Sequence, residues 1–222
     1  GGIAGQNYGN ITDSVSEATV EGDRNIGGLV GKLYGNVSES ASKGNVVVNN
    51  ASEGVSYRNI GGFAGRLSND ASINQSYSTG DVSVSGTTSD IGGFVGDIVY
   101  QDSNISISDS YSTGDVSAGN SYSVGGFIGE TSPDNGYSIT IENSYSTGTV
   151  SGTEDVGGFI GINVSASSSE TDSTIIDSYW NTDTSGYTSG YGVNNGNISN
   201  LTGLTTSEMT GSSASSNMSE FD

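Results

Sequence analysis

The sequence predicts an all-β fold: a right-handed β-solenoid of about six coils, each of about 32 residues with three short strands. Three observations carry that expectation. A glycine-rich block recurs, a second block alternates with it, and the residues between are β-branched or aromatic with turn formers rather than helix formers. The first block reads "GGIAG" at Gly1, "IGGLVG" at Ile26, "IGGFAG" at Ile60, "IGGFVG" at Ile91 and "VGGFIG" at Val124 and Val156. Its leading glycines, Gly1, Gly27, Gly61, Gly92, Gly125 and Gly157, lie 26, 34, 31, 33 and 32 residues apart. The second block runs from "ITDSVSEATV" at Ile11 through "INQSYSTGDV" at Ile73 and "ISDSYSTGDV" at Ile107 to "IENSYSTGTV" at Ile141. It aligns Ser14, Ser40, Ser76, Ser110, Ser144 and Ser178 in one column, and Val20, Val46, Val82, Val116, Val150 and then Thr184 in another.

Each unit reads in order as an extended segment, a turn, a second segment, a turn and a third. In one unit these are Ile107 to Tyr111, Asp115 to Ala118 and Val124 to Gly129, with "STGD" and "GN" supplying the turns. A propeller or sandwich would need two-residue hairpin turns, which are missing. Stacked coils would place Ile73, Ile107 and Ile141 in one inward ladder and Val82, Val116 and Val150 in another. Phe63, Phe94, Phe127 and Phe159 would form a third. Ser110 and Ser144 are expected to turn inward at a tight corner, bonding the neighbouring coil, with Tyr77, Tyr111, Tyr145 and Tyr179 stacked beside them. Gly92, Gly93, Gly125 and Gly126 mark close passage of coils, and Phe94 and Val95 are expected on opposite sides of one wall. The first two units, with "SVSE" and "SASK" for "SYST", are expected to be less regular. The solenoid is placed at 1–186, its first coil incomplete, followed by a polar, partly irregular closing segment at 187–222 that continues in a larger protein.

Composition bounds the function. Of 222 residues, 36 are Gly, 1 is Pro and none is Cys or His, and 25 acids against five bases give a net charge of −20. From Leu67 onward there is no Lys or Arg. Phosphate backbones and anionic membranes need cationic partners, so neither nucleic acid nor an anionic membrane surface is expected as a partner. The balance fits a protein kept soluble in high salt. Such a charge with few apolar residues is also the signature of disorder, against which the regular placing of Ile, Val, Phe and Tyr argues. No segment is apolar and long enough to span a bilayer, and no signal peptide opens the chain.

No catalytic residues and no cofactor are expected. The glycine block lacks the "GK[ST]" and the helix of a phosphate loop, and Ser/His/Asp catalysis is excluded by the absence of His. Carboxylate pairs, Asp81 with Asp115 and Asp109 with Asp177, follow from stacking alone. Calcium is the one ion in view, at oxygen-rich turns around Asn181 and Asp183 and around Asp134, where an Asx turn is the preferred reading. Nine Asn-x-Ser/Thr acceptors occur: Asn10, Asn36, Asn50, Asn74, Asn104, Asn163, Asn197, Asn200 and Asn217. Asn50, Asn104 and Asn163 are expected outside strands and so best placed for N-glycosylation. The tyrosine column serves core stacking, or alternatively an aromatic platform for sugar.

Across residues 1–161 the paired "IGGFVG" and "SYSTGDV" blocks resemble the GLUG motif, a glycine-rich repeat found in tandem in bacterial and archaeal surface proteins. "DSYWNTDTSG" at Asp177 and "LTGLTTSEMTG" at Leu201 are similar to the segment closing such arrays. The resemblance implies a secreted, extracellular or cell-surface protein, here of haloarchaeal character, with no catalytic residues to carry over. Adhesin-like display, filament or homo-oligomer formation, and binding to surface proteins, glycans or itself are the expected roles. The alternatives are a carbohydrate-binding or carbohydrate-processing module and the stalk of a large secreted peptidase.

Overall fold

The computed structural model describes residues 1–51, 58–99, 104–133, 137–164 and 173–221. The chain is a parallel β-solenoid, and among the described residues seven strands stack in each of three sheets and five in each of two. One full circuit crosses five faces: Val95–Val99, Ile105–Ser108, Tyr111–Ser112, Val116–Ser117 and Tyr122–Gly125. Each strand pairs in register with its equivalents in the layers before and after. At the ~4.8 Å strand spacing, seven layers span about 30 Å.

Five strands per coil replace the expected three because corners cut the longer segments. Ile107 to Tyr111 breaks at Asp109, and Val124 to Gly129 breaks at Gly126 and Phe127. The first corner is made by Asp13, Glu39, Gln75, Asp109, Asn143 and Asp177, whose φ angles lie between 44° and 51°. This left-handed conformation is rare outside glycine and favoured by Asn and Asp. The next residue is the serine of the aligned column, and its hydroxyl works in two directions. It donates to the carbonyl two residues back, at 2.7 Å for Ser110 and 2.8 Å for Ser144. It also accepts the N–H of the serine one coil earlier, at 3.3 Å from Ser76 to Ser110. The inward serine corner is as the sequence predicts.

The glycine corner works by close approach rather than by unusual dihedrals. A methyl group on Gly93 would overlap the Gly126 carbonyl of the next coil and the Ser112 hydroxyl reaching from the third face. Ser146 shows the bond this proximity allows, donating to the Gly158 carbonyl at 2.8 Å. This serine and glycine partition divides the interior into two apolar groups. The larger joins the Phe ladder to Ile73, Ile107 and Ile141, and the smaller joins Val82, Val116 and Val150 to Ile60, Ile91 and Val124. The rings of Phe63, Phe94, Phe127 and Phe159 stack at 4.6, 4.7 and 4.9 Å.

Four expectations are corrected. Phe94 and Val95 are both buried in the larger group, because Phe94 lies in the bend and the strand begins at Val95. The first two units keep the common register, with Ala41 facing both Val15 and Tyr77. Thr184 leaves its column for a short helix, α1 (Thr182–Ser185). The solenoid runs past 186, since Tyr191–Asn194, Asn197–Ile198 and Leu201–Leu204 form a further layer. In that region Trp180 stands in register with Ser146 and fills the space between Gly158, Gly190 and Gly203. A second helix, α2 (Gly211–Asn217), and a 3-10 turn at Ser219–Phe221 follow.

Truncating Phe127, which has a ring on each face, is expected to cost about 3–5 kcal/mol in urea unfolding. Gly93→Ala should cost at least as much as an exposed Gly→Ala change gains, because its methyl meets backbone that cannot move independently.

Candidate functional site

Three places on the surface could carry function. The first is the tyrosine face. Tyr77, Tyr111 and Tyr145 stack at 5.0 Å with their planes within 4° of parallel. Their ring faces meet each other, and Phe221 sets its edge against Tyr145 at 5.4 Å. A sugar stacks on a ring face, so the tyrosine column serves packing at Tyr111 and Tyr145, as first expected. Burial, with Tyr111 beside it, pushes the Tyr145 phenol up to about 12. Between these rings and α2 lies a groove of about 810 Å³ that also reaches Met209 and Met218.

The second is the set of turns and ladders of acids and amides. Asp81 Oδ1 accepts the Asp115 N–H at 3.0 Å, and Asp115 Oδ1 accepts the Thr149 N–H at 2.8 Å. Asp109 accepts from the amides of Asn74 and Asn143, and Asp177 from that of Asn200. These carboxylates tie one layer to the next. Asn181 caps α1, accepting from the N–H groups of Asp183 and Thr184, while Asp183 accepts the Thr206 N–H at 2.9 Å. That is the Asx-type arrangement preferred from sequence; Asp134 lies outside the described residues.

The acceptor asparagines divide by placement. Asn10, Asn36, Asn74 and Asn197 sit in strands, and Asn217 in α2. Two of the three placed outside strands are inside them. Asn50 lies in Val46–Ala51, and Asn163 in Ile160–Asn163, fully buried, with Thr131 donating to its Oδ1 and its Nδ2 donating to Asn194. Asn104 and Asn200 are exposed and outside helix and strand.

The third place is one the sequence reading did not identify: a trough of about 710 Å³ running along the rod where the fifth face meets the first. One wall is a register column, Lys32, Arg66, Asp97 and Glu130, one residue per layer. The other is the second corner column, Asn25, Asn59 and Asp90, with φ of 49°, 54° and 62°. Asn59 donates to Asn25 Oδ1 at 3.1 Å, continuing an amide ladder that Asp90 interrupts. Charge therefore changes sign along the trough, from cations in the second and third layers to acids in the fourth and fifth. Arg66 Nε stands 3.8 Å from Asp97 Oδ2, and Ser132 donates to Glu130 at 2.8 Å.

Asp90 and Asp97 are almost fully buried. Burial, reinforced by the charges of Asp97 and Glu130, holds the Asp90 carboxyl well above the usual range. Burial pushes Asp97 up to about 7, with Arg66 pulling it down and Glu130 pushing it up. Among the described residues, no three Asp, Glu, His or Cys side chains converge to hold a metal ion. Nor is any helix long and apolar enough to cross a membrane. The signal for the trough was in the repeat: the position after "VG", "AG" or "IG" reads Lys, Arg, Asp and Glu in four successive units.

A family model described as the GLUG motif matches residues 56–83, one unit of the repeat, from the approach to Ile60 through Val82. No curated protein and no solved structure matches the chain.

An acid whose pKa is higher folded than unfolded stabilises the fold below its unfolded value, and that stability is lost as pH rises through the folded value. The loss should begin near the unfolded value of 3.8 and continue through about 7 for Asp97 and about 8 for Asp90. Thermal melts between pH 4 and pH 9 should show the decline. Asp90→Asn, able to donate to Asn59 as Asn59 does to Asn25, should remove the Asp90 share of the decline, leaving that of Asp97, and stabilise the protein by about 1 kcal/mol at pH 8.

Proposed function

We propose that this chain is a non-enzymatic structural and adhesive module of a secreted surface protein, a rigid acidic rod suited to high salt. The observation that supports it most is the in-register stack itself, built from columns of Phe, Tyr, Ser and Gly whose side chains are consumed in holding coils together. A GLUG unit within that stack is compatible with a structural repeat. The rod's flanks would meet glycans or neighbouring surface proteins. Pairing of strands between copies of the stack would give the homo-oligomer or filament expected from the sequence.

The net charge of −20 supports the high-salt setting. At 1 M salt the screening length falls to ~3 Å, and repulsion among the acids is largely removed. A second reading, a carbohydrate-binding module, is favoured by one observation, the polar trough between the fifth and first faces.

Antibody raised against the rod should label intact, unpermeabilised cells of the source organism, and excision of the segment should lower their attachment; labelling only after permeabilisation would overturn the proposal. Raising NaCl from about 0.1 to 2 M should move the urea midpoint upward. A midpoint that falls would remove the salt adaptation.

A further inference from the structure

We infer that the trough between the fifth and first faces binds a carboxylated sugar, of the uronic-acid class, with its carboxylate at Arg66 and Lys32 and its hydroxyls at Asn59, Asp90 and Glu130. This goes beyond the rod reading and stands without it.

The charge distribution comes first. Three of the five basic residues, Arg24, Lys32 and Arg66, line this one cavity on a chain carrying 25 acids. Of the other two, Arg58 is buried and paired with Asp23. A cationic end in so acidic a molecule selects a ligand with a negative group. The acids one and two layers further along repel a second anion, so the rest of the ligand must be neutral and able to hydrogen-bond.

Unpartnered polar atoms then give the chemistry. Asn59 Oδ1 is a buried acceptor with no hydrogen-bond partner, in a residue only 3% exposed. Arg66 Nε is a buried donor without one, its 3.8 Å approach to Asp97 being too long for a hydrogen bond. Leaving such groups unpaired is costly. The Asn59 acceptor needs a donor such as an O–H, and a guanidinium N–H is best met by an anionic oxygen. A sugar acid carries both on one ring. The four first-face residues, spaced by ~4.8 Å, extend the trough over about 14 Å, enough for a short oligosaccharide rather than a single small anion.

The test is calorimetric titration of the whole chain at fixed pH and ionic strength with glucuronosyl-xylobiose, which carries a single carboxylate, and with xylotriose and hexanoate. Saturable binding of glucuronosyl-xylobiose alone is expected, weakened about tenfold or more by Arg66→Gln, which removes the charged donor. Lys32→Gln, at a half-buried position, should weaken it in the same direction and serves if Arg66→Gln fails to fold, which the melting curve will show. No binding of glucuronosyl-xylobiose overturns the inference. Equal binding of xylotriose overturns the role of the carboxylate, and equal binding of hexanoate overturns the sugar. Binding unchanged in folded variants places the ligand elsewhere and overturns the site. None of these outcomes alters whether the antibody reaches intact cells, so the two proposals fail separately.

Discussion

Parallel in-register stacking is the constraint on which everything else in this molecule depends. At one layer per ~4.8 Å, each side chain meets its counterpart above and below, so a column must be made of residues that tolerate their own kind. Phe and Tyr do so by offset stacking, serine by passing its hydroxyl between backbones, and glycine by leaving room for a neighbouring carbonyl. Asparagine does so by handing an amide hydrogen to the next asparagine, as Asn59 does to Asn25. Stacked acids repel, and the exposed ones are held apart by accepting backbone N–H groups, as Asp81 and Asp115 do. The trough is where the rule is relaxed: Asp90, Asp97 and Glu130 crowd together with little water to screen them.

Stacking also explains what could be read from the sequence. A column that repeats a residue type announces itself, which is why the Phe, Tyr, Ser and Val ladders and their register were legible from spacing alone. Corners were not. The glycines mark close passage of coils, whereas one left-handed corner belongs to Asp13, Glu39, Gln75, Asp109, Asn143 and Asp177, a column so mixed that it looks like noise. Without those corners three strands per coil are expected instead of five, and without the bend at Gly93 and Phe94 the side chains of Phe94 and Val95 are expected on opposite sides. The end of the solenoid was misplaced for a related reason. Trp180 in a serine column reads as a break in the pattern, whereas in space it fills the gap where three glycines converge.

The trough escaped for the opposite reason. Its first-face column changes chemistry at every layer, Lys32 to Arg66 to Asp97 to Glu130, so no repetition marks it. A repeat array hides specific chemistry in its least repetitive position, because the repetitive positions are spent on the fold. That separation lets a rod of one architecture carry different surfaces along its length: changing an outward residue in one layer leaves the ladders of Phe127 and Ser144 untouched.

The layer-to-layer hydrogen bonds point along the rod, and equivalent residues in successive layers such as Ser76 and Ser110 lie 34 positions apart in the chain. A coil of that length occupies ~4.8 Å of axis but, drawn out at ~3.3 Å per residue, would extend to about 110 Å. Tension applied to the two chain ends would therefore peel coils off one at a time, each small yield releasing more than twentyfold its resting length. A tether built this way absorbs load by paying out slack and limits the force passed to whatever it holds, and rewinding needs only the next intact layer as its template.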